Sequence, residues 1–496
     1  MTRRPPIAPR GRGGADAPAA PARPARRHSG IPGPGAIAPG PGMPSAGAAK
    51  DFERGAAGLQ TRRAALEILV RVESHAAFAD VMLGHRLAAF APPDRRLLTR
   101  LVLGTLAWRG RLDYELARLC TQPLEKLELS VLGALRLGLF QMRHLSRVPV
   151  HAAVDTAVSL AREAAGRGAG GLANAVLRRA ARGVVAMPDR SADEVEYLAV
   201  AYSHPRWLAA CFVEWFGMAR AEALMAADNE AAPNVMRLNL ARGTREEIVA
   251  RMAADGIGIS SSDRLPETAV LESAADFDSD SYRAGLFHPQ SEASQLVARM
   301  LAPPAGATVI DCAAAPGGKT THLAELAEAR GRVVGLDLNL RGLKAARDLA
   351  RRLGHRNVAF ARADIAIARP LRNESAGFVL LDAPCTGTGT LREHPEIKWR
   401  LVADDFRRMA EVQRPMLENA AALVRPGGVI VYAVCSLAPQ EGPGVVRGFL
   451  AEHPEFALER PPAAQLAPWL QSDGTMATSP ERGGLDGFFA ARMRRR

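Results

Sequence analysis

The sequence predicts a multidomain chain with an all-α domain, a small α+β connector and a C-terminal α/β domain. Three observations lead to this fold class. The length of 496 residues exceeds that of one ordinary domain, for which about 150 residues is typical. Leucines recur at helical spacing in the first third, whereas short apolar runs alternate with helical stretches over the last 200 or so residues.

Composition narrows the class of protein and of partner. The chain is 48% hydrophobic and 23% charged, as in ordinary globular proteins, and has no apolar run long enough to span a bilayer. We therefore expect no membrane partner. The net charge of +12 favours a polyanionic partner such as nucleic acid. An arginine-rich composition can also reflect a GC-rich genome, so charge alone leaves both explanations open.

The cysteines predict a reducing compartment. There are five, widely scattered and odd in number, which disfavours a disulfide framework and a paired-cysteine zinc site. No apolar segment follows Arg3 and Arg4, so an export signal is not expected. We predict a cytoplasmic protein that needs no metal.

The first two regions are a tail and a helical domain. Residues 1–58 are rich in Pro, Gly and Arg without apolar periodicity, which predicts a disordered tail. Residues 59–190 show the leucine stripe of amphipathic helices, for example at Leu132, Leu135 and Leu139. Pro149 is expected to separate two of these helices.

A connector is predicted at 191–290, and the α/β domain at 291–496. In the connector, two strand-like runs at 236–240 and 268–272 flank a helical run at 245–256. The last region alternates strands and helices, which predicts a parallel, Rossmann-like sheet with helices on both faces. Its strands are expected at 308–312, 332–338, 358–364, 378–384 and 428–435, with helices at 319–330, 341–353 and 403–424.

A loop rich in small residues follows the first of these strands. The run DCAAAPGGKT (311–320) lacks both the first glycine of a Walker A loop and the GxGxxG dinucleotide pattern. The remaining interpretation is the glycine-rich loop of an S-adenosylmethionine (SAM) methyltransferase. Asp337 and Asp364 end the next two strands, where carboxylates can bind the ribose and the adenine side.

Two cysteines follow the later strands. Cys385 lies in LDAPCTGTGTLREHPEIKW (381–399) and Cys435 in VCSLAPQE (434–441). A thiolate that adds to carbon 6 of a pyrimidine makes carbon 5 nucleophilic enough to accept a methyl group. Either cysteine alone would more simply be a small buried side chain, but both lie at strand ends beside a SAM loop.

Together these motifs, with VVGLDLN, RADI and the terminal DGFFAARM, closely resemble the Nop/Sun family of RNA cytosine-5 methyltransferases. In the helical region, residues 94–116, 135–164 and 171–179 resemble the NusB family of RNA-binding domains. The combination resembles the bacterial 16S rRNA enzymes of the Sun type. It implies SAM as cofactor and small-subunit rRNA as partner, and one chain that holds a full site is expected to act as a monomer.

The resemblance also implies residue roles. Cys435 would attack carbon 6, Cys385 would assist product release, and Asp382 would hold the target cytosine beside the cofactor. Asp337 would bind the ribose and Asp364 the adenine side. The methionine end of SAM would be surrounded by Ala313, Ala314, Ala315, Pro316, Gly317, Gly318 and Lys319.

For several basic residues, the sequence is consistent with either an RNA contact or a structural role. By the NusB resemblance, four arginines are candidate phosphate contacts: Arg95, Arg96, Arg178 and Arg179. They could equally lie on helix faces that contact only solvent. Lys398 and Arg392 could touch RNA or form structural ion pairs.

Four departures from the family pattern and two competing functions complete the sequence-based picture. The run at 290–294 reads QSEAS where QDEAS is common. Cys312 and Ala313 stand in exchanged order, so Cys312 is expected to be structural. Gly442 follows Glu441 where Asn is usual, and Glu393 replaces a common basic residue. One competing function is DNA cytosine methylation, with Cys385 as nucleophile. The other is a non-catalytic RNA-binding or assembly factor.

Overall fold

The computed structural model describes the backbone of residues 46–261, 264–272 and 277–496. Positions 1–45 of the predicted tail lie outside the described residues, whereas 46–58 belong to helix α1, so the prediction of disorder was wrong for them. Residues 54–496 form one compact unit. Among the described residues, we find no helix with the length and apolarity needed to cross a membrane. The helical region contains α1 (Ala46–His75), α2 (Ala79–Leu87), α3 (Pro92–Ala107), α4 (Arg109–Leu119), α5 (Leu129–His144) and α6 (Val150–Ala181).

The helical region is organised around α5. Leu135 and Leu139 on this helix are fully buried, and Leu132 is 7% exposed, so the leucine stripe forms the centre of a bundle. The predicted break is confirmed, because α5 ends at His144 and Pro149 directly precedes the first residue of α6. All five cysteines of the chain are free thiols.

The described part of the connector contains five α-helices and a small antiparallel sheet. Its four strands have the order β2-β3-β1-β4. A reciprocal capping box of Thr244 and Glu247 begins α10. The predicted β-α-β order is confirmed, whereas two further strands of three residues each were too short to detect. The elements are α7 (Glu194–Ala201), α8 (Arg206–Phe216), α9 (Met218–Ala227), β1 (Asn234–Leu238), α10 (Arg245–Ala254), β2 (Ile259–Ser261), β3 (Thr268–Leu271), α11 (Asp280–Arg283) and β4 (Phe287–Pro289).

The C-terminal region is an α/β domain whose elements follow the predicted alternation. They are α12 (Glu292–Leu301), β5 (Thr308–Asp311), α13 (Gly318–Leu326), β6 (Arg332–Asp337), α14 (Leu340–Leu353), β7 (Val358–Arg362), β8 (Ala376–Asp382), α15 (Asp405–Ala421), β9 (Val424–Val434), α16 (Pro443–Glu452), β10 (Phe456–Leu458), β11 (Met476–Ala477) and β12 (Phe489–Arg495).

The sheet is mixed rather than wholly parallel. Its order is β10-β12-β9-β8-β5-β6-β7, with β11 paired to β12. Strands β5 to β9 pair in parallel, as predicted, but β12 pairs antiparallel with β9, β10 and β11. The expectation of a purely parallel sheet was therefore wrong at this edge, where β12 is entered from β11 without a crossover helix. Successive strands are added on one side of β5 up to β7 and on its other side from β8 onward, so the strand order reverses between β5 and β8. Such switch points are where ligands bind in α/β sheets.

Candidate active site

The glycine-rich loop runs from β5 to the start of α13. Asp311 anchors it, because its carboxylate accepts hydrogen bonds from the Thr320 hydroxyl at 2.6 Å and from the Ala313 amide at 3.3 Å. Burial raises the pKa of Asp311 to about 6, although the Thr320 hydrogen bond opposes the shift. Gly317 has a φ of 110°, and a Cβ there would lie 2.8 Å from Ala346. A side chain at 317 would therefore displace α14 and close the cradle.

Two further carboxylates lie at the ends of the neighbouring strands. Asp337 accepts hydrogen bonds from the amides of Ala315 at 2.9 Å and Asn339 at 2.7 Å, so it ties β6 to the glycine-rich loop. Asp364 follows β7 and accepts from the Ala366 amide at 3.0 Å. Since β5, β6 and β7 are adjacent and parallel, the structure brings these three strand ends together. The glycine cradle, the α13 N-terminus and the Asp337 carboxylate fit the adenosyl and methionine parts of SAM.

A buried arginine of the connector supports the same loop. Arg237 on β1 is 1% exposed and donates to the Gly318 carbonyl at 2.6 Å, to Thr321 at 2.9 Å and to Glu325 at 3.0 Å. Burial would raise the pKa of Glu325, but the Arg237 charge, together with His355 and His322, outweighs burial and the pKa is lowered. The sequence does not reveal this contact, because Arg237 lies 81 positions before Gly318.

We expect Arg237→Met to lower thermal stability and raise the KM for SAM. The change leaves Glu325 without its guanidinium partner, and breaking a buried ion pair costs about 3–5 kcal/mol. Thermal melting and SAM titration of the methylation rate measure the two effects. Arg330→Met, at an arginine whose side chain is 82% exposed, is the matched control. A variant whose Tm and KM equal those of the control would contradict this role.

The two predicted cysteines meet at the ends of β8 and β9. Their sulfur atoms lie 3.2 Å apart. The hydrogen bond with Cys435, together with burial, raises the pKa of the Cys385 thiol well above its usual range. Cys385 is therefore held as a neutral thiol that can donate to Cys435. Cys312 is buried, and burial raises its pKa strongly, in keeping with a structural residue.

A lysine and an aspartate complete this cluster at the switch point. Lys319, after β5, forms an ion pair of 2.6 Å with Asp382 at the end of β8. Burial would lower the pKa of Lys319, but the charges of Asp382 and Cys435 outweigh it and raise the pKa. The ammonium also lies 5.2 Å from the ring centre of Phe488. Lys319 thus contacts Asp382 across the switch point, rather than only the loop in which it was predicted to act.

A buried glutamate joins the two cysteine loops. Glu441 is fully buried, and its carboxylate accepts hydrogen bonds from Thr386 and from Ser436, the residues that follow the two cysteines. Gln413 on α15 also donates to it, at 3.1 Å. In the sequence, Glu441 stands out only because Gly442 follows it where asparagine is usual. Its position six residues after Cys435 was the available signal, but spacing alone cannot show that one carboxylate serves both loops.

Replacing Glu441 by alanine is expected to lower the Tm by about 6 °C or more and to slow methylation. The change leaves several buried donors without an acceptor, at about 1–3 kcal/mol each, and about 1 kcal/mol corresponds to about 2–4 °C in a domain of this size. Glu452→Ala, at an exposed glutamate on α16, provides the comparison in the same melting experiment. Equal melting of the two variants would show that the network does not hold the loops.

The segment that follows Cys385 packs against the helical region. Trp399 donates from its indole nitrogen to the Leu106 carbonyl at 2.6 Å, and Glu396 accepts from the Ala79 amide at 2.9 Å. Lys398 is fully buried beside Asp228 and donates to Asn229, and Arg392 pairs with Asp486 at 3.2 Å. Of the two roles that the sequence allowed for Lys398 and Arg392, RNA contact or structural pairing, the structure therefore favours structural pairing.

A cluster of possible metal ligands, formed by this segment and helix α2, bears on the prediction that no metal is needed. Ligand atoms of Asp80, His394 and Glu396 lie within 4.8 Å of one another. Glu396 already accepts from the α2 amide terminus, which is a positive environment that disfavours a cation. The expectation of a metal-free enzyme remains a prediction.

The arginines proposed to contact phosphate lie on the helical region. Arg96, Arg178 and Arg179 are exposed, whereas Arg95 is partly buried and donates to the Phe90 carbonyl at 2.7 Å. Arg178 and Arg179 end α6, the last helix of this region. Three of the four guanidinium groups are thus accessible to a polyanion.

Each of the three regions of the chain matches a known protein family. Residues 59–182 match the NusB family, and residues 204–278 match a ferredoxin-like domain of RsmF/B-like methyltransferases. Residues 298–494 match a family described as 16S rRNA methyltransferase RsmB/F. The matches follow the order of the helical region, the connector and the α/β domain.

Individual relatives match along most of their length. Ribosomal RNA small subunit methyltransferase B of Pseudomonas putida is 34% identical over 451 residues, which cover 88% of this chain and 98% of that one. The protein of the same name from Thermus thermophilus is 39% identical over 406 residues, covering 81% and 89%. The crystal structure of PH0851 superposes with a TM-score of 0.76 at 28% identity, over 88% and 98% of the two chains.

Proposed function

Because the chain belongs to the RsmB/F family of SAM-dependent 16S rRNA methyltransferases, we propose that it methylates carbon 5 of a cytosine through a covalent cysteine adduct. The observation that carries this proposal is the pair of thiols 3.2 Å apart at the switch point of the sheet. SAM supplies an electrophilic methyl group. The chain's own residues must supply a nucleophile that activates the base and a place for both partners.

The glycine-rich loop is the proposed cofactor site. Gly317 and Gly318 would let the backbone approach the methionine end, together with Ala313, Ala314 and the Ala315–Pro316 turn. Asp337 would bind the ribose, since its carboxylate already faces the loop through the Ala315 amide. Asp364 would lie on the adenine side, at the end of the next strand.

Cys435 is the proposed nucleophile. Its thiolate would bond to carbon 6 of the cytosine, which makes carbon 5 electron-rich and able to accept a methyl group. The neutral Cys385 thiol lies 3.2 Å from the Cys435 sulfur, and the positive charge of Lys319 interacts electrostatically with Cys435, so both would stabilise its negative charge. Asp382, already fixed by Lys319, would hold the exocyclic amine of the cytosine by accepting a hydrogen bond.

Cys385 is the proposed residue of product release. After methylation, a water molecule would take the carbon-5 proton, the electron pair of that bond would restore the C5–C6 double bond, and the Cys435 sulfur would leave carbon 6 as a thiolate. Cys385 lies within hydrogen-bond distance of that sulfur, so it can stabilise the departing thiolate as the bond breaks. The competing DNA-type assignment makes Cys385 the nucleophile. Its raised pKa disfavours that assignment, because less thiolate is present at neutral pH.

The helical region and the connector would place this site on RNA. A cytosine in small-subunit rRNA must leave its stack to reach a site enclosed by strand ends. The exposed Arg96, Arg178 and Arg179 would add salt-sensitive phosphate contacts. All proposed site residues come from one chain, so we propose a monomer that acts where 16S rRNA is made, in the cytoplasm.

Nucleoside analysis tests the proposed product. The protein is incubated with SAM and unmodified 16S rRNA, and the RNA is digested and examined by mass spectrometry. We expect 5-methylcytidine, at one position when fragments are mapped. A different product, such as N4-methylcytidine, or methylated DNA in a parallel incubation with RNA unmodified, would overturn the proposal.

A further inference from the structure

A concave basic surface lies far from the cysteines, between α14 and the edge strand β7. We call it the α14–β7 groove. It has a volume of about 430 Å³, large enough for a nucleotide unit. Four arginines line it, together with the partly exposed ring of Phe360: Arg242, Arg347, Arg351 and Arg356.

The charge of this surface is neutralised only in part, by an ion pair of 3.2 Å between Arg351 and Asp348. Helix α14 carries five basic residues and one acidic residue, a net charge of +4, whereas α15 carries three of each. On α15, Arg407 pairs with Asp404 at 3.0 Å and with Glu411 at 2.6 Å. Within the described part of the chain, Arg347 and Arg356 have neither a hydrogen bond nor an ion pair. An accumulation of unpaired guanidinium groups in a concavity favours an anionic ligand.

One wall of the groove belongs to the connector and is fixed in place. Arg242 donates from Nε to the Leu353 carbonyl at 3.0 Å, at the end of α14. Its guanidinium passes directly over Gly354, where a Cβ would lie only 2.0 Å from a guanidinium nitrogen. The groove is thus formed by two regions of the chain, with one arginine held rigidly and at least two others free to bind.

We propose that the α14–β7 groove is a second RNA site, which binds the phosphate backbone of the rRNA at a distance from the target cytosine. A guanidinium group can bind two phosphate oxygens at once, and a partly exposed aromatic ring offers a stacking surface for an unpaired base. β7 lies three strands from β8, about 14 Å at the usual spacing between strands. The site therefore contributes to binding of substrate and not to the chemical step. That the anion is rRNA rests on the proposed function.

Charge reversal tests the groove against a matched surface. The double variant Arg347→Glu/Arg356→Glu is compared with Arg407→Glu/Arg408→Glu, which makes the same change of charge on α15. The dissociation constant for 16S rRNA is measured across a series of salt concentrations. We expect the groove variant to bind at least about tenfold more weakly at low salt, with a salt slope smaller by about 1.4, or about 0.7 for each single-strand phosphate contact. The α15 variant should remain near wild type.

Kinetics provide the second measurement. The KM for rRNA should rise in the groove variant while kcat stays unchanged, because a remote contact contributes equally to ground and transition states. Thermal melting checks that the variants fold. If the charge-reversal variant has a lower Tm than wild type, Arg347→Gln/Arg356→Gln is used in its place. Equal affinities and slopes of the groove and α15 variants would overturn the site. Absence of 5-methylcytidine with wild-type protein would instead overturn the proposed function, independently of the binding comparison.

Discussion

Cys435→Ala is expected to reduce 5-methylcytidine formation by at least about three orders of magnitude, because covalent activation of carbon 5 is lost. The variant should still fold and bind SAM, since alanine is tolerated at a small, partly buried position. Transfer of a labelled methyl group to 16S rRNA measures the loss. Thermal melting with and without SAM confirms that the cofactor site is intact.

A serine at position 435 gives the sharper control. Its size is close to that of cysteine, but its hydroxyl has a far higher pKa and cannot serve as a comparable nucleophile at neutral pH. Cys435→Ser should therefore be as inactive as the alanine variant. Substantial turnover by either variant would show that Cys435 is not the nucleophile, whatever its distance from Cys385.

Cys385→Ala is expected to have the second largest effect, with a different signature. The neutral thiol 3.2 Å from Cys435 is removed, so the covalent adduct should form but release its product slowly. The variant should methylate RNA at no more than about one equivalent per enzyme before turnover stops. Protein and RNA should then migrate together on a denaturing gel with unmodified RNA as substrate.

The comparison with Cys312→Ala shows whether this behaviour is specific. Cys312 is a buried thiol at the end of another strand, with no part in the proposed chemistry. Its replacement should change stability modestly and leave no trapped RNA. If Cys385→Ala turns over as wild type does, product release depends on another residue.

The sequence predicted the parts of the site that are local in the chain. The loop 311–320, Asp337, Asp382 and the two cysteines each follow an apolar strand, and parallel strands bring their carboxyl ends to one edge. The position of each motif relative to its strand was therefore enough to predict that they meet. The alternation of strands and helices likewise predicted β5 to β9.

The contacts that hold the site are non-local, and the sequence did not reveal them. Glu441 joins two loops that are 50 residues apart, and Arg237 reaches the glycine-rich loop from another sheet. Lys398 resembles a surface cation in its motif, yet burial against Asp228 and Asn229 removes it from RNA. Such pairings depend on how separate elements pack, which neither periodicity nor spacing encodes. The antiparallel β12 was missed for the same reason.

The most direct test of the covalent mechanism is a trapping gel with small-subunit rRNA that contains 5-fluorocytidine. Fluorine at carbon 5 cannot leave as a proton does, so the adduct persists through denaturation. With SAM present, wild type and Cys385→Ala should both retain RNA, and Cys435→Ala should retain none. Adduct formation that is lost only in Cys385→Ala would reverse the roles of the two cysteines. Absence of any adduct with wild type, despite 5-methylcytidine formation on unsubstituted RNA, would contradict covalent catalysis itself.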